Sequence, residues 1–251
     1  MCCFSRNVDF VRGTRIFARM TEVARQAVVY QMEFGAKMEL AMILPLPVAP
    51  NSGEKALQFI DLSKYEDFFA DLRKGFPMPK ALGRGYAAPA AALAAPKLEV
   101  KQVGAFEASF VPTVKDFARL DERFKLPEGT WEALPQYKDH GFAVFKLRKG
   151  EHKVHPMAFT FPTRHGEKLF FPTVHIHDGK VHAEEDFDHD LYCQVYRAGL
   201  FTMTRWDESE GLAKSFVKTE KAERLVDPDA HVYRRRLAGK MKNEDIILAA
   251  A

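Results

Sequence analysis

The chain has 251 residues, of which 47% are hydrophobic and 28% charged, and its formal net charge is +3. These are globular values that allow one sizeable core, and so small a charge excludes an electrostatic nucleic-acid binder. Three cysteines, two of them adjacent, exclude a disulfide scaffold.

No stretch reaches the ~20 apolar residues of a membrane helix. The longest candidate, Ala41 to Pro50, is short and carries three prolines. Arg6, Asp9, Arg12 and Arg15 interrupt any apolar leader at the start, so a cytoplasmic chain with free thiols and no membrane partner is expected. Phe occurs 21 times, mostly inside short apolar runs such as Phe159-Thr160-Phe161, which reads as core.

In chain order, Val8 to Met20 alternates apolar and polar residues around Gly13, which predicts a strand. Gln26 to Met32 and Lys37 to Leu44 read as a hairpin turning at Phe34-Gly35-Ala36, closed by Pro45 and Pro47. Ser63 and Glu66 form an S-x-x-E capping box ahead of Tyr65, Phe68, Phe69 and Leu72 at helical spacing, with Gly75 as the stop. The Ala/Pro-rich stretch 86–96 is expected to be a surface loop within a single domain spanning 1–251.

Leu98 to Phe110 predicts a strand, and Thr113 with Asp116 resembles a second helix cap. Thr130 to Leu134 suggests one helical turn and Gly141 to Leu147 a strand, followed by successive β segments to Val195. The stretch 207–223 ends as a helix, and His231 to Leu237 returns to a strand. Within that last strand, Arg234-Arg235-Arg236 reads as a solvated edge, with phosphate binding as the alternative. The expected fold is therefore α+β, mainly antiparallel sheet of sandwich-like or barrel-like form, with two or three short helices.

Seven of the nine histidines lie between His152 and His189. Asp178-Gly179, between β-like arms, predicts a two-residue hairpin turn. That register sets His175 opposite His182, with His177 on the same face, at roughly 4.5–5.5 Å between opposed Cβ atoms. Val174, Ile176 and Val181 would face the other way. An H-x-H pair plus a third imidazole predicts an open site for a divalent transition metal (Zn, Fe or Cu), with His155, Asp186, Asp188, His189 and Cys193 as candidate further ligands or groups that orient them. Such an ion would activate water or a substrate oxygen. A polar cleft with acid–base histidines and a plain solvated face are the competing readings.

Two thiol arrangements are also candidates. Cys2 would become the N-terminus if Met1 were removed, and could then act as a nucleophile with its own amine as base. In its Met-Cys opening the chain resembles the N-terminal-nucleophile amide hydrolases. Cys193 lies four residues after His189, on one face of a strand, which is the spacing of a Cys–His nucleophile pair.

Over most of its length, in Met1-Cys-Cys-Phe-Ser-Arg, Met42-Ile-Leu-Pro-Leu-Pro-Val, Val103-Gly-Ala-Phe-Glu-Ala-Ser-Phe-Val and His155-Pro-Met-Ala-Phe through Tyr192-Cys-Gln, the chain resembles a family of bacterial proteins of unknown function. The resemblance implies no activity. Three functions are thus expected to compete: a metal-dependent enzyme acting on a small molecule, an N-terminal-cysteine amide hydrolase, and a non-catalytic protein that binds a metal or a partner.

Overall fold

The structure is a computed structural model that describes residues 3–76, 101–103, 106–195 and 203–249. Its strands are β1 (Cys3–Phe4), β2 (Phe10–Glu22), β3 (Arg25–Ala36), β4 (Leu40–Leu46), β5 (Gln58–Asp61), β6 (Lys101–Val103), β7 (Phe106–Val111) and β8 (Gly141–Leu147). They continue with β9 (Gly150–Lys153), β10 (Met157–Pro162), β11 (Leu169–Phe171), β12 (Glu184–Gln194), β13 (Asp207–Glu208), β14 (Tyr233–Lys242) and β15 (Ile246–Leu248). One α-helix, α1 (Phe68–Lys74), and several 3-10 turns join them.

The strands form a large sheet in the order β13-β14-β12-β2-β3-β10-β5, with β9 also on β3, a smaller sheet β1-β4-β8-β7-β6, and the pair β11-β15. Most pairings are antiparallel, whereas β12 runs parallel to β2. The chain is therefore mainly β with antiparallel-rich sheets, as the strand-dominated sequence implied.

Both large sheets are covered on both faces. Ile16, Val28, Tyr30, Met42, Leu44, Phe145 and Phe159 meet in a core between them. Strand neighbours point the other way, as alternation requires: Phe17, Ala27 and Val29 pack beneath Phe68, Phe69 and Leu72 of α1. On the outer face of the smaller sheet, Ala41, Ile43 and Phe142 are covered by Phe117, Leu134 and Tyr137. This two-sided burial is why β3 and β4 read as nearly continuous apolar runs.

Three local expectations are corrected. β3 and β4 do not form a hairpin, because Lys37-Met38-Glu39 carries the chain from one sheet to the other. The hairpin is β2–β3, turning at Val23-Ala24 with Ala24 at φ 55°. The capping box at Ser63 does not form either. The Asp61 carboxylate accepts the Ser63 N–H at 2.8 Å, and the helix begins only after Asp67, which makes no side-chain cap bond. Within the segment expected as one strand from Leu98, the described residues form two, β6 and β7, paired antiparallel. The Ala/Pro-rich stretch 86–96 lies outside the described residues.

Phe159 is fully buried and its ring lies 6.4, 6.1 and 6.3 Å from those of Phe59, Phe145 and Phe161. Replacing it leaves a cavity between two sheets that strand pairing prevents from collapsing. Phe159→Ala is expected to destabilise the fold by about 3–5 kcal/mol, and Phe159→Leu by less, both read from denaturant midpoints at an unchanged slope.

Candidate functional site

The segment after β11 does not fold back on itself. Residues 177–180 form bends, and no ladder joins 175 to 182. The groups that a hairpin would pair across are taken by one side chain. Asn243, just after β14, accepts the His175 N–H at 2.7 Å and donates to the carbonyls of both His175 and His182 at 2.9 Å. Asp178 meanwhile accepts the Lys180 N–H at 3.0 Å and lies 3.0 Å from the ring of His182. The predicted opposition of His175 and His182 is therefore not formed: His182 is exposed while His175 is fully buried.

Asp245 completes the clamp. Its buried carboxylate accepts the N–H groups of Thr173 and Val174 at 2.7 and 3.0 Å and the Tyr137 hydroxyl at 2.5 Å. Burial raises the Asp245 carboxyl above its usual range, although the three hydrogen bonds oppose that shift. Val174 and Ile176 then turn into the outer core beside Cys3, and Phe4 donates its N–H to the Ile176 carbonyl at 3.1 Å.

His175 faces the other way and meets β12. Its ring stacks on that of His189, with centroids 5.0 Å apart and an interplanar angle of 10°, and on that of His177 at 5.2 Å and 22°. Phe187 lies 4.4 Å from the His175 centroid, and Phe4 lies 5.7 Å from that of His177. The Nε2 atoms of His175 and His189 are 3.3 Å apart. The Asp188 N–H donates to Nδ1 of His189, so a neutral His189 carries its proton on Nε2 and donates to His175. His175 then holds its proton on Nδ1, a buried atom with no hydrogen-bond partner among the described residues.

Burial keeps all three imidazoles neutral. It lowers His177 to about 4 and pushes His175 and His189 further down. The sequence reading thus found His175 and His177 but paired them with the wrong third ring. His189, expected only as a further ligand or as the partner of Cys193, takes the place of His182, because the long-range placement of β12 brings it against His175.

The remaining predicted site residues are dispersed. His155 packs on Phe106 at 4.2 Å, with Nδ1 3.1 Å from the Pro156 carbonyl, and burial lowers its pKa. Cys193 shares the inner face of β12 with His189, but complete burial pushes its thiol well above the ordinary value, the reverse of an activated thiolate. Cys2 lies outside the described residues. Among the described residues, no group of three or more His, Cys, Asp and Glu side chains is arranged to hold a metal ion. No helix among them is long and apolar enough to cross a membrane.

The neutral stack makes stability depend on pH with a definite sign. Unfolded histidines titrate near 6.5 and bind protons that the folded rings refuse. Stability is therefore fully present above about pH 6.5 and falls as pH drops towards 4, by up to about 1.4 kcal/mol per pH unit for each ring. Asp245, with its raised pKa, acts in the opposite sense. Urea midpoints measured between pH 7.5 and 5 are expected to fall, and to fall less steeply in His177→Gln.

No protein-family model matches the chain, and no curated protein matches it by sequence. Solved structures do. The crystal structure of baculovirus P35 matches at a TM-score of 0.52 and 13% identity over 99% of both chains. The caspase-8/P35 complex matches at 0.48 and 12%, covering 95% of this chain and 96% of that one. A mutated baculovirus P35 after caspase cleavage matches at 0.46 and 13%, covering 95% and 99%. At this identity the likeness shows a shared fold, from one end of the chain to the other.

Proposed function

We propose that this chain is a non-catalytic, partner-binding protein, and that its partner is a protease of the caspase type. The observation that carries this reading is the end-to-end match of fold with baculovirus P35, over 99% of each chain. P35 itself is known in a complex with caspase-8 and in a form cleaved by caspase. The internal chemistry agrees with a binding role. His175, His189 and Cys193 are sealed inside the sheets, where burial keeps the rings neutral and the thiol protonated. A partner therefore meets the outer loops and sheet edges of a rigid scaffold.

The test is direct. Purified chain is incubated with active caspase-8, and residual hydrolysis of a fluorogenic peptide is followed alongside the intact mass of the chain. Loss of protease activity that saturates with added chain, together with a complex on gel filtration, is expected. Full protease activity and no complex at a large excess of the chain would overturn the reading.

The imidazole stack favours a second reading, a bound divalent transition metal (Zn, Fe or Cu). Two ligand nitrogens on one tetrahedral ion, at bonds of about 2.0–2.1 Å, stand roughly 3.3–3.4 Å apart, and the Nε2 atoms of His175 and His189 are separated by 3.3 Å. Both rings are neutral, and ligation would replace the His189–His175 hydrogen bond, the His189 proton moving from Nε2 to Nδ1 at the expense of the Asp188 N–H bond. Untagged protein analysed for metal content is expected to carry stoichiometric metal that His175→Ala and His189→Ala abolish. Metal-free protein that gains no thermal stability from added zinc would remove this reading.

A further inference from the structure

Four segments far apart in sequence converge on one open cleft of about 850 Å³. They are the link 5–9 between β1 and β2, the crossing at Lys37-Met38 from β3 to β4, Pro127, and the bends at 178–180. The volume lies within the range of ligand clefts, roughly 300–1,000 Å³. Backbone bonds hold the walls. Ser5 donates its N–H to the Ala41 carbonyl at 2.9 Å and accepts the Ala41 N–H on its hydroxyl at 2.9 Å. Val8 donates to the His177 carbonyl at 3.3 Å, and Asp9 to the Gly35 carbonyl at 2.8 Å. Gly179, at φ 78°, comes so near Pro127 that a Cβ there would lie 3.3 Å from the proline ring. The cleft is thus built before anything enters it, which lowers the ordering cost of binding.

Two chemistries line it. Val8, Met38 and Pro127 are apolar, and Met38 is 50% exposed. Val181, next to the lining Lys180, is 37% exposed. Among the described residues only Val23 and Ile247 are other large apolar side chains so open to water, so half of that exposed apolar surface gathers at one concavity. Apolar surface displayed at a preformed cleft marks an interaction site. The cations are Arg6, Lys37 and Lys180, brought together from three of the four segments. Two carboxylates face them, and each is engaged within the wall. Asp178 accepts the Lys180 N–H at 3.0 Å and lies 3.0 Å from the His182 ring, and Asp9 lies 3.7 Å from Lys37. The cleft therefore sets an excess of positive charge beside apolar surface. Its complement is a chain in which carboxylates and apolar side chains alternate.

We propose that this cleft binds an acidic peptide segment, whose apolar side chains seat on Val8, Met38 and Pro127 while its carboxylates meet Arg6, Lys37 and Lys180. The apolar contacts supply most of the affinity, since ion pairs this exposed contribute little each. The cations select the sign of the partner and speed its arrival. The site is independent of the protease reading and of the imidazole stack.

The test uses the full chain and a fluorescein-labelled peptide, Glu-Leu-Glu-Phe-Glu-Leu, followed by fluorescence anisotropy at fixed ionic strength. Saturable binding is expected, and none of the analogue Lys-Leu-Lys-Phe-Lys-Leu. Affinity is expected to drop at least about tenfold in the double variant Arg6→Gln/Lys180→Gln, and by as much in Met38→Asp. It is retained in Lys221→Gln, an exposed lysine that does not line the cleft. All of these positions are exposed, so the variants keep the fold. Three results overturn the proposal: no saturation by the acidic peptide, equal binding of the lysine analogue, or equal losses in Lys221→Gln and the double variant. Full competition by free glutamate with no loss in Met38→Asp also overturns it, in favour of a small anion.

Discussion

A buried carboxylate, that of Asp245, holds together the part of the molecule on which the imidazole stack depends. It accepts two backbone N–H groups from Thr173 and Val174 and the Tyr137 hydroxyl, and with Asn243 it fixes 173–175 as an extended segment between two cores. Removing one donor from such a network leaves a buried charge short of partners, which costs more than the bond itself contributes. The outer core, the β11–β15 pair and the N-terminal β1 all meet this segment. The position of His175, and with it the stack, follows from a clamp built by Asn243 and Asp245, two residues near the C-terminal end.

That dependence explains what could be read from the sequence and what could not. Alternation in β2 and the long apolar runs of β3 and β4 announced strands because both sheet faces are buried, and the mainly antiparallel α+β class followed. Asp178-Gly179 carried a strong local turn signal, yet the turn lost to Asn243, whose amide binds His175 and His182 from about sixty positions away in sequence. The same competition dissolved the Ser63 cap, where Asp61 reached the backbone first. In both places an Asx side chain took backbone groups that the local pattern had assigned elsewhere. His189 was visible as a candidate further ligand and as a candidate nucleophile's partner but not as a stacking ring, since strand order decides which faces meet.

The imidazole stack is interior, neutral and sensitive to acid. A scaffold buried on both sides of both sheets leaves its chemistry either locked inside, as with Cys193, or displayed at edges and turns. The charge pattern of β14 shows this division within three residues: Arg234 and Arg236 pair with carboxylates on one face, and Arg235 lies half-buried on the other.

The parallel pairing of β2 with β12 has a consequence for how the chain comes to be folded. Gly13 donates its N–H to Asp188 at 2.6 Å across 175 positions of sequence, so the centre of the large sheet cannot close until nearly three-quarters of the chain exists. Until then β2 and β3 offer an apolar hairpin with an open edge to the surrounding solution. Contacts so distant slow folding and leave sticky surface unprotected meanwhile. During synthesis the hairpin waits for its neighbour, and refolding from denaturant is a race between the arrival of β12 and association with other chains.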